Sequence, residues 1–167
     1  MTEPFTLDLT LLAESIPPGK TVRFEVKLNQ AERDLLCERF DFIKLESVAG
    51  KLTLSQIADG CWELKGQINA KMTQACVVSG QLVDSPIVIE LKERFVRTLS
   101  EQVEIDPMEI DVGLLLNGEI PVGESLCQWI GVCAPAWPRA KNIPVLGESD
   151  RALSENHPFA KLSELKK

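Results

Sequence analysis

Histidine is nearly missing from this chain: His157 is the only one in 167 residues. Nucleophilic catalysis by Ser or Cys usually draws on a nearby general base, most often histidine. His157 sits beside Pro158 in a polar C-terminal stretch, far in sequence from every cysteine, so a Cys–His pair would need that stretch to fold back onto the core. Metal-ligand spacings are missing too. Neither C-x-x-C nor H-E-x-x-H occurs, and Cys127 and Cys133, six residues apart, point roughly 240° from each other on a helix. No glycine-rich phosphate loop of the form G-x-x-x-x-G-K-[ST] or G-x-G-x-x-G is present. The expectation is a protein without catalytic residues, metal or cofactor.

Long apolar runs are also lacking. Ile87-Val88-Ile89 and Leu114-Leu115-Leu116 fall far short of the about 20 residues that a bilayer span needs. Glu3, Asp8 and Glu14 interrupt the start of the chain, with no basic segment ahead of an apolar one. A cytoplasmic protein that does not engage a membrane is expected. The five cysteines are odd in number and scattered, unlike a secreted disulfide framework, and read as small buried side chains. A net charge of -7 excludes a coat of Lys and Arg that grips phosphate non-specifically, but leaves room for a local basic site. Charge is segregated: Glu101, Glu104, Asp106, Glu109, Asp111, Glu119 and Glu124 follow one another without Lys or Arg, just after Lys92, Arg94 and Arg97. Acid pairs such as Asp106 with Glu109 read as solvated loop surface rather than acid–base machinery.

What the chain does contain is alternation. From Cys61, the residues Trp62, Leu64, Gly66, Ile68, Ala70 and Met72 fall on one face and Glu63, Lys65, Gln67, Asn69 and Lys71 on the other, which predicts a half-buried strand. Thr21 to Leu28 alternates in the same way after Pro17-Pro18-Gly19. The spacing predicts a helix from Asn29, with Glu32 placed for a capping box, to about Phe40. Between Ile43 and Leu54 the apolar phase changes from odd to even positions, predicting a β-bulge near Ser47. Ala58-Asp59-Gly60 turns this strand into the next, Gly80 to Pro86 reverses the chain, and Ile87 to Thr98 forms a further strand. Ser100 to Asn117 reads as a loop holding one short helical or extended piece. Val122, Leu126, Trp129, Ile130 and Cys133 predict a second helix over Val122–Val132, ended by Pro135 and Pro138. The fold class is therefore α+β: a mainly antiparallel sheet of four or more strands, open or barrel-like, with two helices. Residues 1–141 form one domain, and 142–167 a mobile tail that ends in a short amphipathic segment carrying Phe159, Leu162 and Leu165.

Two groups of residues are candidates for recognition. Lys92, Arg94 and Arg97, with Arg139 and Lys141 beside Trp137, combine cations with an indole that could hold phosphate and stack on a base. Phe159, Leu162 and Leu165 could fold against a partner, dock on their own domain or stay in water.

Three segments carry a family resemblance. Gln74-Ala75-Cys76-Val77-Val78-Ser79 is similar to a Q-x-C-V-V-T that ends a strand. The helix Ile120-Pro121-Val122-Gly123-Glu124, followed by Ala136-Trp137-Pro138-Arg139, resembles I-D-L-G-E and, at matching distance, P-Y-P-R. Pro158-Phe159-Ala160-Lys161-Leu162-Ser163-Glu164-Leu165-Lys166 is close to a terminal P-F-A-x-L-x-x-L-K, and Ala31-Glu32-Arg33 to Arg39-Phe40 adds a weaker match. In order and spacing these resemble the large ribosomal RNA subunit accumulation protein family, the YceD-like proteins, from about residue 20 onward. Many members carry C-x-R-C-L; here Cys76-Val77-Val78-Ser79-Gly80 lacks the arginine, second cysteine and leucine, so no thiol-pair or metal role carries over.

The resemblance implies a non-enzymatic factor that supports accumulation of large-subunit (23S-type) ribosomal RNA by binding an assembly intermediate, through ribosomal RNA or a ribosomal protein. Cys76 would close a strand, and Trp137 and Arg139 would be contacts. Two other classes compete with it: a protein-binding adaptor that uses the acidic loop, and an enzyme with Cys76 as nucleophile.

Overall fold

The computed structural model describes residues 2–97 and 111–141. Most of the acidic loop and all of the tail, with His157, Phe159, Leu162 and Leu165, lie outside the described residues. Eight strands and two α-helices occur among those described: β1 (Thr2–Pro4), β2 (Leu11–Leu12), β3 (Thr21–Lys27), α1 (Gln30–Phe40), β4 (Lys44–Ala58), β5 (Cys61–Ala75), β6 (Leu82–Val96), β7 (Asp111–Leu114), β8 (Glu119–Ile120) and α2 (Val122–Cys133).

Six of the strands form one sheet in the order β1-β3-β4-β5-β6-β7, while β2 and β8 pair separately. Its centre, β3 to β6, is an antiparallel meander. The α+β class holds, and among the described residues the sheet is open rather than a closed barrel. Both margins are short parallel additions: β1 lies beside β3, and β7 beside β6. Alternation carries no sign of these, because strands of three or four residues are too short to show a period.

Alternation does set the register of the centre. Val22, Leu54 and Leu64 lie in one cross-strand row, and Val26, Gly50, Ile68 and Ile89 in another, all on the same face. The bulge falls where the phase changes: Leu45 opposes Met72 and Ser47 opposes Lys71, leaving Glu46 as the extra residue. Without it, Leu45 or Val48 would face water. Both are buried. β6 starts earlier than its apolar run indicates, at Leu82, and takes in Pro86 opposite Lys71. Beyond β5, only Glu93 to Val96 of β6 find a strand partner among the described residues. At an unpaired margin, a residue without an N–H costs no ladder bond.

Gly50 and Gly66 stand where neither β4 nor β5 leaves room for a side chain. A β-carbon on Gly66 would collide with the carbonyl of Lys51, and one on Gly50 with that of Gln67. Glycine within a strand marks this kind of close contact with a neighbouring backbone. The apolar side of the sheet forms one core that also holds Leu36 of α1 and Val122, Leu126 and Ile130 of α2. α1 starts with the expected capping box: Asn29 Oδ1 accepts from Glu32 N at 3.0 Å, and Glu32 Oε2 accepts from Asn29 N at 2.8 Å. Arg39 of α1 makes a two-pronged ion pair with Glu124 of α2. Trp62 is buried against the core, and its indole N–H donates to the Ile16 carbonyl at 3.1 Å, tying the N-terminal segment to the sheet.

Replacing Gly66 with valine is expected to destabilise the fold by roughly 3 kcal/mol or more, since overpacking here meets backbone rather than a yielding side chain. Asn69→Ala, outward on the same strand, is expected to stay within about 0.5 kcal/mol of wild type. Denaturant unfolding of the two variants measures the contrast, and equal midpoints would contradict it.

Candidate nucleic-acid interface

Because the apolar side of the meander is turned inward, every second residue of β3 to β6 points the other way, and both helices leave that face uncovered. One row across four strands reads Arg23, Thr53, Lys65, Lys92, and the next reads Glu25, Lys51, Gln67, Glu90. Lys27 stands one row further on, beside Ala49, Asn69 and Val88. All these cations are exposed. Neighbouring strands lie about 4.8 Å apart, so Arg23 and Lys92 are separated by roughly 14 Å across the sheet, with Lys51 about 7 Å along it.

The electrostatics differ within the face. Glu63 is almost fully buried at 6% exposure, and its carboxylate accepts from Lys65 Nζ at 2.9 Å. Arg94 Nε lies 3.8 Å away, an ion pair without a hydrogen bond. Lys65 foremost, with Lys92 and Arg94 adding their fields, holds the Glu63 carboxyl below the usual carboxylate range against the opposing effect of burial. Lys71 pairs with Glu46 at 3.2 Å. Arg23, Lys27, Lys51 and Lys92 have no ion-pair partner among the described residues. Exposed cations of this kind, held on rigid strands, are free to meet an anion.

The sequence candidates fall in three places. Lys92 and Arg94 stand on this outer face. Arg97 turns to the rim on the core side, its guanidinium 5.5 Å from the Trp62 ring centroid and 3.5 Å from Glu14. Trp137, Arg139 and Lys141 gather at the opposite end of β5, where the segment after α2 crosses the Cys76 turn: Val77 N donates to the Pro138 carbonyl at 3.0 Å, and Gln74 Nε2 to that of Pro135 at 3.1 Å. Trp137 is 78% exposed there. Cys76 and Lys65 are separated by a strand length of roughly 35 Å, so the structure divides the six-residue cluster rather than assembling it. The sequence does not mark Arg23, Lys27, Lys51 and Lys65 as members of one site. Their signal was the polar half of each alternation, and only the cross-strand register reveals that they share a patch with Lys92.

Cys76 is buried at the end of β5. The Ser79 hydroxyl and, against burial, the backbone N–H groups of Ala140, Ser79 and Val78 bring its thiol down to about 6. Ala140 N lies 3.5 Å from its sulfur. Every one of these groups donates, so the cradle stabilises a thiolate; none of them is a proton acceptor suited to generating one. Cys127, inside α2, is pushed up to about 11 by burial. A cleft of about 310 Å³ between α2 and the β6/β7 margin carries Glu93, Glu119 and Glu124 with Ser125 and Gln128. Among the described residues no cluster of His, Cys, Asp or Glu could hold a metal ion, and no helix is long and apolar enough to cross a membrane.

No family model, curated protein or solved structure matches this chain.

The Cys76 thiolate has a consequence for stability. With the folded value depressed, its contribution is complete above the unfolded thiol value near 8.5 and fades as pH falls toward about 6. The stability gap between wild type and Cys76→Ala is therefore expected to widen from pH 6 to pH 8.5. Urea unfolding across that range measures it, and a constant gap would contradict the cradle.

Proposed function

We propose that this protein is a non-enzymatic binding factor that supports accumulation of large-subunit ribosomal RNA, holding RNA of the assembling subunit on the outer face of its sheet. The observation that carries this reading is the set of cations Arg23, Lys27, Lys51 and Lys92, unpaired among the described residues, on a rigid face that both helices leave open in a chain whose net charge is -7. Phosphate contacts supply most of the affinity of such a surface, and the acidic remainder of the molecule repels RNA from other approaches. The family resemblance supplies the ribosomal context. The working compartment on this reading is the cytoplasm, and the partner is an assembly intermediate.

The acid-lined cleft at Glu93, Glu119 and Glu124 favours a second reading, an adaptor that accepts a basic ribosomal protein. The two readings differ in what the cations do. If RNA is the ligand, Lys51→Glu with Lys92→Glu weakens binding to a ribosomal RNA fragment by roughly tenfold or more, and lowers the salt slope by about one unit for each phosphate that is no longer neutralised. Fluorescence anisotropy at several salt concentrations, with circular dichroism to confirm folding, measures both. Unchanged affinity and slope would remove the outer face from RNA recognition.

A further inference from the structure

We infer that the outer face takes helical RNA, gripped by its phosphate–ribose backbone, rather than an unstacked single strand. This rests on the RNA-binding reading above and specifies the form of RNA.

The first ground is what the face lacks. Single strands are held by aromatic side chains on which successive bases stack. In the three central rows across β3 to β6 no aromatic residue points outward. Phe24, Phe95 and Trp62 are committed to the core at 1–3% exposure. The exposed Trp137 stands at the far end of β5, roughly 23 Å of strand beyond Asn69 in the nearest row and roughly 35 Å beyond Lys65. A base laid on these rows would find no ring.

The second ground is what takes their place. Gln67 and Asn69 stand in line with Lys65 on β5, exposed and neutral, each offering a donor and an acceptor among the cations and the two exposed carboxylates of that face, Glu25 and Glu90. That mixture suits phosphate oxygens together with 2′-hydroxyls, the groups that double-stranded RNA displays along its wide, shallow minor groove. The cations of the outer face sit on paired strands, a rigid array matched to a rigid helix.

The full-length protein is titrated into four labelled probes: an RNA duplex of about 20 base pairs, a second duplex of permuted sequence, an unstructured single strand of one of them, and the corresponding DNA duplex. Both RNA duplexes are expected to bind equally, and roughly tenfold more tightly than the single strand or the DNA. That preference should fall with Lys51→Glu/Lys92→Glu and survive Trp137→Ala. A single strand that binds as tightly as the duplex, or loses affinity with Trp137→Ala, would overturn the inference while leaving RNA binding intact. Equal binding of the DNA duplex would overturn it too, because the 2′-hydroxyls would then play no part. Failure of every RNA probe to bind would remove the proposed function along with it.

Discussion

The cross-strand register of β3 to β6, which keeps the apolar half of each alternation on one side, is the constraint on which the rest of the molecule depends. Every second side chain turns toward the helices and its neighbours turn away. Register gives the sheet an inside and an outside. Leu52, Leu54, Leu64, Ile68 and Ile89, all at 0% exposure, fill the inside together with one flank of each helix. Burial of this apolar surface is the main drive to fold. The outside carries neither helix and can hold charge at little cost.

This asymmetry explains how an acidic chain can present a cationic surface. The bulge at Glu46 keeps the two halves of β4 in phase, and the pairing from β3 to β6 then brings Arg23, Lys65 and Lys92, which are distant in sequence, into one row. Glu63, buried beneath Lys65 and Arg94, does not cancel the row; it anchors those two side chains, while Lys92 and Arg23 stay unpaired among the described residues. At the other end of β5, the Cys76 cradle fastens the segment after α2 to the sheet through Val77, Gln74 and Ala140. One end of the long hairpin is thus closed by hydrogen bonds, and the exposed cations lie along the rest.

Much of the fold was legible because its central elements are long and strongly patterned. Strict alternation in β5, the phase change at the bulge and the Asn29–Glu32 pair each leave a signature in neighbouring residues. β1, β2, β7 and β8 leave none, being four residues or fewer and held by partners far away in sequence. Pro86 hid the start of β6, because a proline reads as a break unless the margin it occupies is known. The candidate site was legible only in part for a related reason. Lys92 and Arg94 lie close to Arg97 in sequence and read as one cluster, but strand parity and the stacking on Trp62 send Arg97 to the opposite rim. Arg23 and Lys51 belong to other strands, and nothing local in the sequence says that they stand near Lys92.

The most direct measurement is photo-crosslinking of bound RNA, with the attachment sites located by mass spectrometry. Crosslinks concentrated on outward residues of β3 to β6, around Arg23, Lys51, Lys65 and Lys92, are the result this account predicts. Crosslinks confined to α2, to the cleft at Glu119 and Glu124, or to the Trp137 segment would contradict it.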